Sequence, residues 1–137
     1  MTSTLVDTNV LIDVLTDARE RDWSVGHLKR AYEGGDIVVN AIIWSELANP
    51  GLSEEDLGRA MGWLKAKREP IPFEAAYRAG LAQRRYRLSG GQRERTLPDF
   101  LIGAHAEFKG YRLMTRDAAR YRSYFPALDI IAPDTHP

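Results

Sequence analysis

Four short runs rich in β-branched and apolar residues, Thr4 to Val6, Ile37 to Val39, Arg112 to Met114 and Asp129 to Ile131, alternate along this chain with longer stretches in helical spacing. Strands that alternate with helices imply a parallel sheet covered on both faces, so the pattern predicts an α/β fold. Helices are expected near Asn9 to Leu15, Trp23 to Glu33, Ile42 to Ala48, Glu54 to Lys67, Glu74 to Leu88, Pro98 to Lys109 and Asp117 to Tyr121. Gly34-Gly35-Asp36, Asn49-Pro50-Gly51 and Ser89-Gly90-Gly91 supply turns, and Pro70 and Pro72 break the chain after the fourth helix. The polar stretch Ser89 to Thr96 reads as the most mobile loop. No repeat or linker divides the chain, and 137 residues suit one domain, 1–137, able to bury roughly two thirds of its unfolded surface.

An apolar fraction of 44% and a charged fraction of 28% are ordinary for a soluble globular protein. The absence of cysteine excludes disulfides, thiolate zinc sites and cysteine nucleophiles, and it fits a reducing cytosol. The opening residues lack a basic region followed by a long apolar stretch, so neither a signal peptide nor a membrane span is expected, and a cytoplasmic location is. Lysine plus arginine equals aspartate plus glutamate at 19 each, so net charge alone gives no reason to expect nucleic-acid binding. The distribution says more: Arg78, Arg84, Arg85, Arg87, Arg93 and Arg95 stand against Glu94 alone, while the first 22 residues are net acidic. That run reads equally well as a solvated helix face and as a surface for phosphates.

Asp7 follows Leu5-Val6 and should sit at the carboxyl end of the first strand, the edge where open α/β sheets bind ligands. It is equally placed to cap the helix that follows. Asp99, behind Thr96-Leu97-Pro98, fits a capping box, and Asp117, behind Leu113-Met114-Thr115, is another possible cap. Glu46 lies among apolar neighbours in Ala41 to Ala48, where a carboxylate is costly unless it pairs with an arginine or serves a cation site. Carboxylates brought together repel, and a cation is what makes such a cluster stable. With oxygen ligands and no cysteine, that cation would be magnesium or manganese. His27, His105 and His136 lack metal-ligand spacing, His105 is expected to be packed or on the surface rather than catalytic, and Asp13 is expected to point away from Asp7. No glycine-rich phosphate loop or nucleophile elbow is present.

Taken together, Leu5-Val6-Asp7-Thr8-Asn9-Val10-Leu11-Ile12-Asp13, Trp44-Ser45-Glu46-Leu47, Leu97 to Ala104 and Leu113-Met114-Thr115-Arg116-Asp117 resemble the motifs of PIN-domain ribonucleases, and among these the VapC toxins of bacterial toxin–antitoxin modules. The motifs stand in the family's order from Leu5 to Asp117. The resemblance implies a three-layer α/β/α sandwich around a parallel sheet, one or two Mg2+ or Mn2+ ions, and endonucleolytic cleavage of RNA. It also implies a homodimer and inhibition by a cognate VapB-type antitoxin. Asp7, Glu46, Asp99 and Asp117 match the family's acidic positions, and Asn9 and Thr115 its supporting polar ones.

On this reading Asp7 and Asp99 hold the ion directly, and Glu46 and Asp117 directly or through water. A water activated by the ion would attack phosphorus in line, leaving 5′-phosphate and 3′-hydroxyl ends. Arg84, Arg85, Arg87, Arg93, Arg95 and Arg116 are the candidate phosphate contacts. Two alternatives stand beside it. An aspartyl-phosphate phosphatase would need a second aspartate where Asn9 stands. A catalytically silent PIN-like RNA-binding or interaction module is disfavoured by the intact set of four acids.

Overall fold

Leu5 and Val6 are adjacent on one strand, so their side chains point to opposite faces of the sheet, and both are fully buried. Helices must therefore cover both faces, as an all-parallel sheet requires. The computed structural model, which describes residues 1–91 and 95–137, shows this arrangement. The elements run β1 (Thr4–Val6), α1 (Thr8–Leu15), α2 (Arg21–Gly34), β2 (Ile37–Val39), α3 (Ala41–Glu46), α4 (Glu54–Ala60), β3 (Lys67–Arg68), α5 (Phe73–Leu88), α6 (Leu97–Lys109), β4 (Arg112–Met114), α7 (Ala119–Arg122) and β5 (Ile130–Ile131). The sheet order is β3-β2-β1-β4-β5, every pair parallel, with Leu5 facing Val38 on one side and Leu113 on the other.

This order decides where a site can form. The chain leaves β1 toward β2 and β3 on one side, then crosses through α5 and α6 to β4 on the other. The direction of winding reverses between β1 and β4, and the crevice beyond their carboxyl ends is the topological switch point at which open α/β sheets bind ligands. Asp7 follows β1 and Thr115 follows β4.

The stretch expected as one helix from Glu54 to Lys67 is instead α4, a 3-10 turn at Gly62–Leu64 and the edge strand β3. Ser53 caps α4 by accepting from Asp56 N, Gly62 weakens its continuation, and Lys65 in the left-handed region (φ 48°) turns the chain. β3 lacks the apolar signature of a strand because both of its residues are exposed at the sheet edge, where charged side chains discourage further pairing.

The core between sheet and helices includes Leu11, Leu28, Ile43, Phe100, Ile102, Leu113, Met114, Tyr121 and Phe125. Gly103 on α6 explains itself through Phe125: a β-carbon there would overlap the ring, so only glycine lets helix and ring meet without repacking. Gly110 ends α6 in the left-handed conformation at φ 71°. Among the described residues no helix is long and apolar enough to cross a membrane.

Candidate active site

Asp7 follows β1 at the sheet's carboxyl edge and caps the helix after it. As the N-cap of α1 it accepts from Thr8 N through Oδ1 at 2.8 Å, and through Oδ2 it accepts from Thr115 Oγ1 at 2.9 Å and from the Tyr121 hydroxyl at 2.8 Å. A cap needs only the first of these. The other two donors come from more than a hundred residues away and fix the carboxylate at the switch point. Burial pushes the Asp7 carboxyl above its usual range, the three hydrogen bonds oppose that, and the charge of Asp99 adds to it. Burial and the neighbouring Asp7 likewise raise the Tyr121 hydroxyl far above its normal range, so it stays a proton donor.

Asn9 and Thr115 are hydrogen-bonded to each other and, through Thr115, to Asp7. Thr115 Oγ1, while donating to Asp7, accepts from Asn9 Nδ2 at 3.3 Å and from Asp117 N at 3.0 Å. Asn9 Oδ1 accepts from Arg116 N at 3.1 Å. The first turn of α1 is thus tied to the turn after β4, and the two sides of the crevice are held at a fixed separation.

Asp99 is buried at the start of α6, where Oδ2 reaches back to accept from Thr96 N at 3.1 Å, the return half of the capping box. Its Oδ1 faces Arg120, with Nη1 at 3.5 Å, and Arg120 Nε lies 2.7 Å from Asp117 Oδ2. Burial alone would weaken the charge on Arg120, but the attraction of Asp99 and Asp117 outweighs it and raises its pKa.

Glu46 requires a correction. The expectation that it is a carboxylate immersed in an apolar helix does not hold: α3 ends at Glu46, which is exposed, so no desolvation penalty demands a partner. It joins the site by another route, accepting from Thr8 Oγ1 at 2.8 Å beside the capped carboxylate. Thr8, Arg120 and Tyr121 are the participants that sequence reasoning missed.

Arg116 is paired with two further carboxylates. Its Nε is 2.6 Å from Asp13 Oδ2, without hydrogen-bond alignment, and its Nη1 is 3.9 Å from Glu20. Asp13 is buried and also accepts from Ser24 Oγ at 2.7 Å, so the arginine is the cation its carboxylate requires. Asp13 is accordingly peripheral to Asp7, and Arg116 is engaged with Asp13 and Glu20. Arg84, Arg85 and Arg87 are exposed on α5. Arg95 is folded inward, donating to the Ala119 carbonyl at 2.9 Å and stacking 5.7 Å from the Tyr86 and Tyr124 rings. Arg93 lies outside the described residues. His105 is buried rather than on the surface, between Asn40 Nδ2 (3.0 Å) and Glu69 Oε1 (2.9 Å).

Among the described residues, no three Asp, Glu or His side chains already converge as a cation cage. The oxygens of the acidic residues are occupied by Thr8, Thr96, Thr115, Tyr121 and Arg120. The donor set is nevertheless that of a hard cation: all oxygen, with negative charge to spare, since four carboxylates have one arginine in ion-pair contact among the described residues. Each carboxylate also keeps unused lone pairs, and Glu46 and Asp117 are exposed enough to turn.

The domain is a parallel α/β fold with Asp7 buried at its switch point and Asp99 near enough to act on its charge, and comparison with known proteins makes the class definite. The PIN-domain family model matches residues 4–125, and the chain belongs to that family, whose general property is nuclease activity. The fold is similar to that in a VapBC2 complex from Rickettsia felis bound to a DNA fragment from its promoter (TM-score 0.73, 15% identity, 94% of this chain and 97% of that one). It is also similar to a toxin–antitoxin complex from Klebsiella pneumoniae (TM-score 0.65, 25% identity, 96% and 98%) and to FitAcB from Neisseria gonorrhoeae (TM-score 0.68, 20% identity, 98% and 99%). No curated protein sequence matches the chain significantly.

Proposed function

We propose that this chain is a Mg2+- or Mn2+-dependent endoribonuclease, the toxin of a VapBC-type module. The observation that carries the reading is the pair of buried aspartates, Asp7 and Asp99, at the switch point of a PIN-domain sheet, where each charge opposes the other. Asp7 and Asp99 would hold the ion directly, and Glu46 and Asp117 directly or through water. When bound, the ion supplies an activated water and offsets charge on the phosphate under attack.

The chain's own residues do the positioning. Thr115 and Tyr121 clamp Asp7 Oδ2, Thr8 N holds Oδ1, and the Thr96 backbone fixes Asp99, so neither aspartate has to be reorganised at the moment of reaction. Because water is the nucleophile, the RNA 2′-hydroxyl takes no part and the products carry 5′-phosphate and 3′-hydroxyl ends. Arg84, Arg85 and Arg87 are exposed to meet flanking phosphates, which would position the strand without reading its bases. The complexes formed by the structural neighbours support a VapB-type antitoxin as partner, and the toxin itself is expected to act as a homodimer in the cytoplasm.

The test is metal addition and removal. An ion that binds only the folded protein stabilises it by mass action, by about 2.7 kcal/mol at a hundredfold excess over Kd, a rise of roughly 10 °C in Tm for a domain of this size. Mn2+ should produce this shift and restore RNA cleavage after chelation. Undiminished cleavage after exhaustive chelation would rule the proposal out.

A further inference from the structure

Arg120 stands where the acidic site has most need of positive charge. Its guanidinium touches two of the four carboxylates through different nitrogens, Nη1 to Asp99 Oδ1 and Nε to Asp117 Oδ2. It is the one cation in ion-pair contact with any of the four among the described residues. The other oxygen of Asp99 is committed to the Thr96 backbone, so the oxygen that Asp99 has to offer a cation is the one Arg120 faces. The arginine side chain is 47% exposed on the one-turn helix α7, and the neighbouring Tyr121, fully buried, anchors that turn. The guanidinium can therefore move into solvent while its backbone stays in place.

We propose that Arg120 is a built-in counter-cation of this site: it bridges Asp99 and Asp117, a divalent cation reaches Asp99 by displacing it, and Arg120 thereby sets how tightly the site takes metal. The inference rests on the metal-dependent reading above. Arg120 and a divalent ion are like charges competing for one oxygen, so whatever the arginine gains from its two carboxylates is subtracted from metal affinity. Removing the competitor abolishes two partly exposed ion pairs and one repulsion, which corresponds to roughly tenfold in Kd.

Mn2+ affinity measured by titration calorimetry on wild type, Arg120→Gln and Arg120→Lys tests this, together with Tm without metal and at saturating Mn2+. Arg120→Gln is expected to bind Mn2+ roughly tenfold tighter. It should melt lower than wild type without metal, where nothing replaces the lost charge, and alongside wild type at saturating Mn2+. Arg120→Lys, which keeps the charge, should stay near the wild-type affinity. Equal or weaker Mn2+ binding by Arg120→Gln overturns the proposal, and a loss of cleavage with unchanged Mn2+ affinity would overturn it in favour of a contact with substrate phosphate. If wild type and both variants fail to bind Mn2+, the metal-dependent reading itself falls and this inference falls with it.

Discussion

Asp7→Asn and Asp99→Asn should each lower RNA cleavage on the order of a thousandfold or more while leaving the protein folded, because each removes a charge that acts on the reacting centre and neither removes packing. In Asp7→Asn the amide oxygen still accepts from Thr8 N, and the amide nitrogen meets the Tyr121 hydroxyl, which can reverse and accept; Thr115 Oγ1, which already accepts from Asn9 Nδ2 and Asp117 N, loses its bond to this side chain. Without metal this variant should also be more stable than wild type at neutral pH. The sign follows from Asp7: burial and Asp99 raise its folded pKa above the unfolded one, so ionised Asp7 costs stability at neutral pH. That cost disappears as the pH falls through the raised folded value toward the usual aspartate range, because the native state takes up the proton first. The advantage of Asp7→Asn, read as a higher Tm than wild type at neutral pH, should shrink over the same interval. A variant that unfolds would make Asp7 chiefly a helix cap, and one that cleaves normally would remove it from the mechanism.

Tyr121→Ala should be the most destabilising change at the site. The ring is fully buried, and truncating a buried aromatic to alanine costs about 3–5 kcal/mol, enough to lower Tm by 10 °C or more by the same scaling. Tyr121→Phe separates the ring from the hydroxyl. It keeps the packing and removes one donor to Asp7, so stability should change by only about 1 kcal/mol. Losing that donor disfavours the charged carboxylate, so the acid limb of the pH–rate profile should move to higher pH. An unshifted limb in Tyr121→Phe would mean that the hydroxyl serves the core alone.

How much of this was legible in the chain depended on whether the signal was local. Asp7 at a strand end and Asp99 in a capping box are written in their immediate neighbours, and both are found there. The four apolar strands were visible for the same reason, whereas β3, two charged residues at an exposed edge, has nothing apolar to show. Glu46 has apolar neighbours in the sequence, but they do not bury it, because α3 stops at that residue and turns it to solvent. Thr8, Arg120 and Tyr121 act through partners distant in the chain, or through a turn whose orientation only the sheet order determines. The pairing of Arg116 with Asp13 was hidden likewise, since the buried position of Asp13 comes from the packing of α1 against α2.

The most direct test of the account is the chemistry of the cut ends. Purified protein is incubated with a defined RNA and Mn2+, and the new termini are read by ligation and by phosphatase sensitivity. The account predicts 5′-phosphate and 3′-hydroxyl ends that appear with Mn2+ and vanish on chelation. Ends bearing a 2′,3′-cyclic phosphate, or cleavage that persists without metal, would show that the RNA 2′-hydroxyl is the nucleophile and would contradict it.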